Sequence, residues 1–305
     1  MTQAVLASFL ATLLWSITNF IDNFLVNKER NSSKSIRALL IFSTLISGII
    51  FVPISLVLAN FKIEASLISI VAAMGAAAVY IMATALYFCA LNKNDTSTVV
   101  AMYQLIPVVT YLFSFFFFGE SFTLRQTIGA VTIMVSSVVM GLSLKNRKKE
   151  NKYKALILVF GSVVLYGLYY SFMDVAIRDS EYDACFFWNQ VGFLIIGLIL
   201  ICIKTYRKAF TSTIKRNGKG FLALNILNES LNSAAGALVN YANVIIPIAF
   251  VNIINGFQGA FVFIIAFIGV KFFPKIFKEN FKKKTIIRKV SCIILSIIGM
   301  ILFML

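Results

Sequence analysis

Lys145-Asn146-Arg147-Lys148-Lys149-Glu150-Asn151-Lys152-Tyr153-Lys154 lies at the middle of a 305-residue chain and is the only strongly polar break for a long way on either side. Five hydrophobic segments precede it and five follow. An odd number of crossings turns the second half over. Two related halves then lie in the bilayer in opposite orientations, a layout that places a solute site where they meet.

Composition sets the class. Hydrophobic residues make up 60% of the chain and charged residues only 13%, against about a quarter charged in an ordinary soluble domain. Ten helices are expected at 4–26, 36–59, 66–91, 96–118, 124–144, 154–176, 183–204, 220–243, 247–270 and 285–304, each long enough to cross about 30 Å of hydrocarbon. The expected fold is an all-α integral membrane protein, with ten transmembrane helices as two inverted five-helix repeats. The repeats are 1–144 and 155–305, joined by a basic cytoplasmic linker at 145–154. The longest other connectors, 205–219 and 271–284, are short and basic. The second mixes Phe272, Phe273, Phe277 and Phe281 with lysines, as suits a segment resting on an anionic leaflet.

The net charge of +16 does not point to nucleic acid, because the bases sit in short loops between apolar spans. Counted loop by loop, the odd-numbered connections hold 4, 1, 6, 6 and 8 Lys or Arg, or 25 of the 28. Only Lys62, Arg125 and Arg178 lie on the even side. The positive-inside rule puts the odd loops in the cytoplasm and both termini outside, in what is expected to be a prokaryotic plasma membrane.

The chain has no histidine, which removes Ser-His and Cys-His nucleophiles, His-ligated metals and His proton relays together. Cys89, Cys185, Cys202 and Cys292 are scattered without a CxxC and read as small apolar fillers. No catalytic residue, metal site or cofactor is expected. The apolar run at the N-terminus continues for a full span and reads as a first transmembrane helix rather than a cleaved signal.

Traces of internal repetition survive. A shift of 151 lays Trp15 on Tyr166, Asn19 on Tyr170 and Asn23 on Asp174; a shift of 149 lays Tyr103 on Asn252 and Pro107 on Gly256. Polar residues within the spans are the candidate site. The segment 220–243 carries Asn225, Asn228, Glu229, Asn232, Ser233, Gly236 and Asn240 on one helical face. An ionised carboxylate facing lipid costs at least about 2.5 kcal/mol, so Glu229 should face the bundle interior. Asn225 and Asn232, a turn to either side, can hydrogen-bond a ligand or hold Glu229. The alternative is a polar seam between closely packed helices.

The segment 247–270 adds Asn252 and Asn255, and the related span of the first half adds Tyr103, Gln104 and Pro107. The proline is expected to free a backbone carbonyl one turn earlier. Trp15, Asn19, Tyr166 and Tyr170 extend the candidate substrate site, with Tyr80 and Tyr87 completing an aromatic wall. Asp22 and Asp174 join Glu229 as candidate proton-coupling groups; both lie close to the ends of their spans, Asp22 towards the cytoplasm and Asp174 towards the outside in the charge-derived topology.

The run from Tyr87-Phe88-Cys89-Ala90-Leu91 through Thr96 to Pro107, then Phe118-Gly119-Glu120 and Leu124-Arg125-Gln126 to Gly129, resembles the EamA domain of the drug/metabolite transporter superfamily. The second half keeps the helix plan but has Gly269-Val270-Lys271 where the pattern has its Gly-Glu turn. The resemblance implies a ten-helix permease of two EamA-like repeats that moves a small metabolite or drug by alternating access, coupled to protons or run as exchange. It also implies that Glu120 caps the fifth helix. Most members have cytoplasmic termini, the reverse of what these charges indicate. The expected partners are a small-molecule solute and membrane lipids, and a monomer or homodimer is expected. A lipid or lipid-linked sugar flippase of the same fold is the alternative. An intramembrane enzyme is disfavoured, since Asp22 and Asp174 lack the sequence context of an acid/base pair.

Overall fold

The computed structural model describes residues 2–28, 32–92, 94–119, 123–141, 149–246, 251, 254–272, 279 and 283–304, and these contain helices and no strand. We number the helices α1 Thr2–Asn27, α2 Ser33–Leu58, α3 Leu67–Leu91, α4 Thr96–Phe118, α5 Leu124–Gly141, α6 Lys149–Arg178 and α7 Tyr182–Cys202, then α8 at 204–217, α9 at 219–245, α10 Gln258–Phe272 and α11 Lys283–Met304. Seven are long and apolar enough to cross a membrane: α1 to α4, α6, α7 and α11. Leu124–Met140 and Gln258–Phe272 are apolar but shorter. Many large apolar side chains remain uncovered, among them Ile49, Leu67, Phe116, Leu124 and Ile298. Acyl chains solvate such a surface at no cost, whereas water does not.

Two connectors are more ordered than their composition indicates. α6 begins at Lys149, so the described part of the central linker is helix. The expected loop 205–219 contains α8, which ends where Gly218 takes φ +73°. Its bases conceal an apolar stripe: Tyr206, Phe210 and Ile214 recur every fourth residue and pack on the core, with Phe210 4.8 Å from the Phe42 ring. Thr123 and Gln126 cap the start of α5. Thr123 Oγ1 accepts from Gln126 N–H at 3.2 Å, and Gln126 Oε1 accepts from Thr123 N–H at 2.9 Å, a reciprocal capping box. Glu120 lies outside the described residues.

Contacts between the halves come in matched sets when each of α1 to α5 is exchanged for α6, α7, α9, α10 and α11. α3 lies along α6 and α9 along α1; α3 meets α7 and α9 meets α2; α4 meets α6 and α10 meets α1. Three further pairs map onto themselves, namely α2 with α7, α4 with α10 and α5 with α11. Glycines permit the closest crossings. A Cβ on Gly48 would lie 2.7 Å from Leu194 Cα, one on Gly197 2.9 Å from Leu45 N, and one on Gly129 2.5 Å from Phe303 N. Small residues at crossings are how membrane helices gain packing when no hydrophobic effect drives them together. Gly129→Val is therefore expected to lower the melting temperature of purified protein clearly. Gly236→Ala, where a new Cβ meets nothing within 4 Å, should be neutral or stabilising by up to about 1 kcal/mol. Thermal unfolding in detergent checks both.

Candidate functional site

The polar face of α9 turns inward against α1, α2 and α3. Asn228 and Glu229 are buried at 3% and 5% exposure, as the cost of placing a carboxylate in lipid requires. Glu229 Oε1 accepts from Ser43 Oγ at 2.7 Å. Ser43 belongs to a π-helical turn, Phe42–Ile46, inside α2; such turns insert a residue and re-aim the side chains beyond them. Ser47, one turn on, contacts Ser233 at 3.1 Å and donates to Gln190 Oε1 of α7 at 3.4 Å. Asn228 Nδ2 donates to Asp22 Oδ1 at 2.7 Å, so consecutive residues of α9 engage α1 and α2.

Asp22 and Asn19 share a second partner on α3. Tyr87 O–H lies 2.6 Å from Asn19 Oδ1 and 3.2 Å from Asp22 Oδ2. From Tyr87 an aromatic series crosses the interior: its ring centroid is 5.6 Å from Tyr103, Tyr103 is 5.5 Å from Tyr166, and Tyr166 is 5.2 Å from Tyr80. The hydroxyls are engaged as well. Tyr103 meets Ser162 Oγ at 2.8 Å, Tyr166 meets Thr84 Oγ1 at 3.0 Å, and Tyr80 accepts from Asn232 Nδ2 at 3.4 Å. α1, α3, α4, α6 and α9, drawn from both halves, thus converge on one aromatic and carboxylate cluster. Tyr87→Phe removes one donor from buried Asn19 and half-buried Asp22 and is expected to cost about 1–3 kcal/mol, read as a lowered melting temperature.

The partners of both carboxylates are neutral: Ser43 for Glu229, Asn228 and Tyr87 for Asp22. When ionised, the two carboxylates present negative potential to the interior around them, where charges are weakly screened. They can hold a cationic group or a proton.

The remaining candidates divide. Gln104 Nε2 donates to Gly256 O at 2.7 Å, joining α4 to the turn before α10, while its buried Oε1 has no hydrogen-bond partner. Asn255 Oδ1 accepts from Thr12 Oγ1 at 3.1 Å. Pro107 follows a 3-10 turn at Tyr103–Leu105, and the Tyr103 carbonyl is taken by the Ile106 N–H rather than left free. Trp15 is half-buried, and its carbonyl accepts from Asn19 Nδ2 at 2.7 Å. Asn225 is buried, but its amide donates to Phe221 O of its own helix at 2.7 Å. Tyr170 is 45% exposed, and its ring meets that of Tyr169, which in turn meets Tyr80. Asp174 stands apart, in an exposed ion pair with Arg178 at 2.9 Å. Asn252 lies outside the described residues.

A second buried cluster was not foreseen. Lys289 of α11 is fully buried, with Nζ 3.1 Å from Glu279 Oε2, 3.5 Å from Asp95 Oδ2 and 2.7 Å from Ser97 Oγ. Glu279 also hydrogen-bonds the Ser97 hydroxyl and accepts from the Ser97 N–H at 3.0 Å, so a carboxylate from the second half caps the start of α4. The available signal was a lysine inside the expected span 285–304, which loop counting had assigned to the solvated bases.

Residues 2–142 match the model of the EamA-like transporter family. No curated protein matches the chain. A solved structure described only as the crystal structure of a protein is 16% identical, with a TM-score of 0.58 over 98% of this chain and 96% of its own. At that identity the likeness is one of fold.

Proposed function

We propose that the chain is a secondary-active carrier of a small organic solute bearing a cationic or hydrogen-bonding group, a reading supported by the match of residues 2–142 to the EamA-like transporter family. It works by alternating access, with ten helices in two inverted repeats, the odd-numbered loops in the cytoplasm and both termini outside. The matched helix contacts between the halves support the duplication. The observation that carries the reading is the pair of inward-facing carboxylates, buried Glu229 and half-buried Asp22, whose hydrogen-bond partners are all neutral and which lie beside an aromatic series built from both halves. A cationic solute and a proton compete for such a site. Once occupied by either, the carboxylate crosses the closed state without an uncompensated charge, which couples the two fluxes. Asp22, Asn19, Tyr87, Tyr103, Tyr166, Asn232 and Glu229 are the residues we assign to it.

The test is a thermal-shift screen of purified protein against small amines, other polar metabolites and lipids at two pH values, followed by transport of any hit in proteoliposomes. A ligand of the native state stabilises by about 2.7 kcal/mol at a hundred times its dissociation constant. Stabilisation by a water-soluble amine, stronger at the higher pH and absent in Asp22→Asn/Glu229→Gln protein, is the expected result. Stabilisation by lipid alone would favour a flippase of the same architecture.

A further inference from the structure

We propose that a basic cleft between α2 and α8 binds the phosphate-bearing headgroup of an anionic phospholipid. The cleft encloses about 670 Å³ at the end of the molecule where the odd-numbered loops lie. Lys34 and Arg37 line it from the first turns of α2, Lys208 and Lys215 from α8, with Thr211 and Ser212 between them. Its described lining contains no acidic residue.

Three features fit a phosphodiester held at the membrane surface. First, the bases come from two helices that face each other, so the charge is concentrated in a concave space rather than spread over a solvated loop. A cleft lined by one sign of charge focuses its field. Second, α8 is anchored: Ala209 is buried, and Tyr206, Phe210 and Ile214 pack on the core, which fixes Lys208, Thr211, Ser212 and Lys215 on its outer face. Third, the chain enters α8 from the end of α7, whose Ile195, Leu198, Ile199 and the following Ile203 are large apolar side chains left uncovered. A headgroup in the cleft leaves its acyl chains beside that surface. A free anion gains nothing from it. The carboxylates Asp22 and Glu229 are not among the lining residues, so the site is separate from the carrier cluster.

The experiment is native mass spectrometry of the full chain released from nanodiscs of mixed phosphatidylglycerol and phosphatidylcholine, with inorganic phosphate as a separate titrant. Retention of phosphatidylglycerol over phosphatidylcholine is expected. The variant Arg37→Gln/Lys208→Gln/Lys215→Gln should reduce that preference by roughly a hundredfold, since each base near an anionic surface contributes about fivefold. A control replacing Lys62, Arg125 and Arg178, on the opposite side, should leave it unchanged. Equal retention of both lipids, or an unaltered preference in the cleft variant, overturns the proposal. So does displacement of bound lipid by millimolar phosphate, which would identify a free-anion site. Circular dichroism of the variant distinguishes lost binding from lost folding, and the Lys208→Gln single variant serves if the triple does not fold.

Discussion

Glutamine in place of Glu229 is expected to abolish coupled transport while leaving the protein folded. The side chains are nearly isosteric, and the glutamine oxygen can still accept from Ser43 Oγ, now 2.7 Å from Glu229 Oε1. Neither packing nor the buried hydroxyl need change. What is lost is the charge that attracts a cationic solute and the oxygen that accepts a proton. In proteoliposomes, solute flux driven by a pH gradient should fall to the background of protein-free vesicles, with the melting temperature within a degree or two of the parent. Asp22→Asn separates the two carboxylates, because Asn228 Nδ2 donates to Asp22 at 2.7 Å and an amide oxygen preserves that bond. If both neutral variants lose coupling, the pair acts as one site. Undiminished gradient-driven flux in Glu229→Gln protein would remove Glu229 from the coupling mechanism.

The largest effect on stability is expected at Lys289. Replacing it with methionine leaves Asp95 and Glu279, both almost wholly buried, without the ammonium that lies 3.5 and 3.1 Å from them. Breaking a buried ion pair by removing one partner costs about 3–5 kcal/mol, because an uncompensated charge stays behind. Replacing all members of such a cluster is often close to neutral. Lys289→Met should therefore melt far below the parent, while Lys289→Met/Asp95→Asn/Glu279→Gln should recover most of the loss, with glutamine at 279 still able to cap Ser97 N–H. A triple variant as unstable as the single one would show that the lysine stem, not the charge balance, carries the effect. Since the cluster joins the start of α4 to α11 across the two halves, the same comparison in transport assays reports whether it must open during the cycle.

Much of this was legible along the chain. Apolar runs of about 20 residues located the helices, since the hydrocarbon thickness leaves little choice of length. The expense of a carboxylate in lipid pointed Glu229 inward, and Asn19, Tyr87, Tyr103 and Tyr166 were found by a similar argument from polar groups in apolar spans. Ser43 was not, because a lone serine in an apolar helix bonds its own backbone as readily as a partner. Only the π-turn of α2 aims it at α9. Asn225 illustrates the converse: it has the right spacing, yet its amide returns to Phe221 of its own helix. α8 was read as a loop because six bases between 204 and 219 outweighed three apolar residues at helical spacing.

Composition and spacing by themselves determined that the protein is helical, that it carries membrane-length apolar segments, and which few residues are too costly to face lipid. Those are properties of one helix against one solvent. Which polar groups meet is a property of pairs of helices. Asp22 with Asn228, Tyr87 with Asn19, and Lys289 with Asp95 are separated by 206, 68 and about 190 positions in the chain. Their meeting depends on how glycine crossings and the π-turn rotate and bring together helices that, in sequence, carry no mark of their partner.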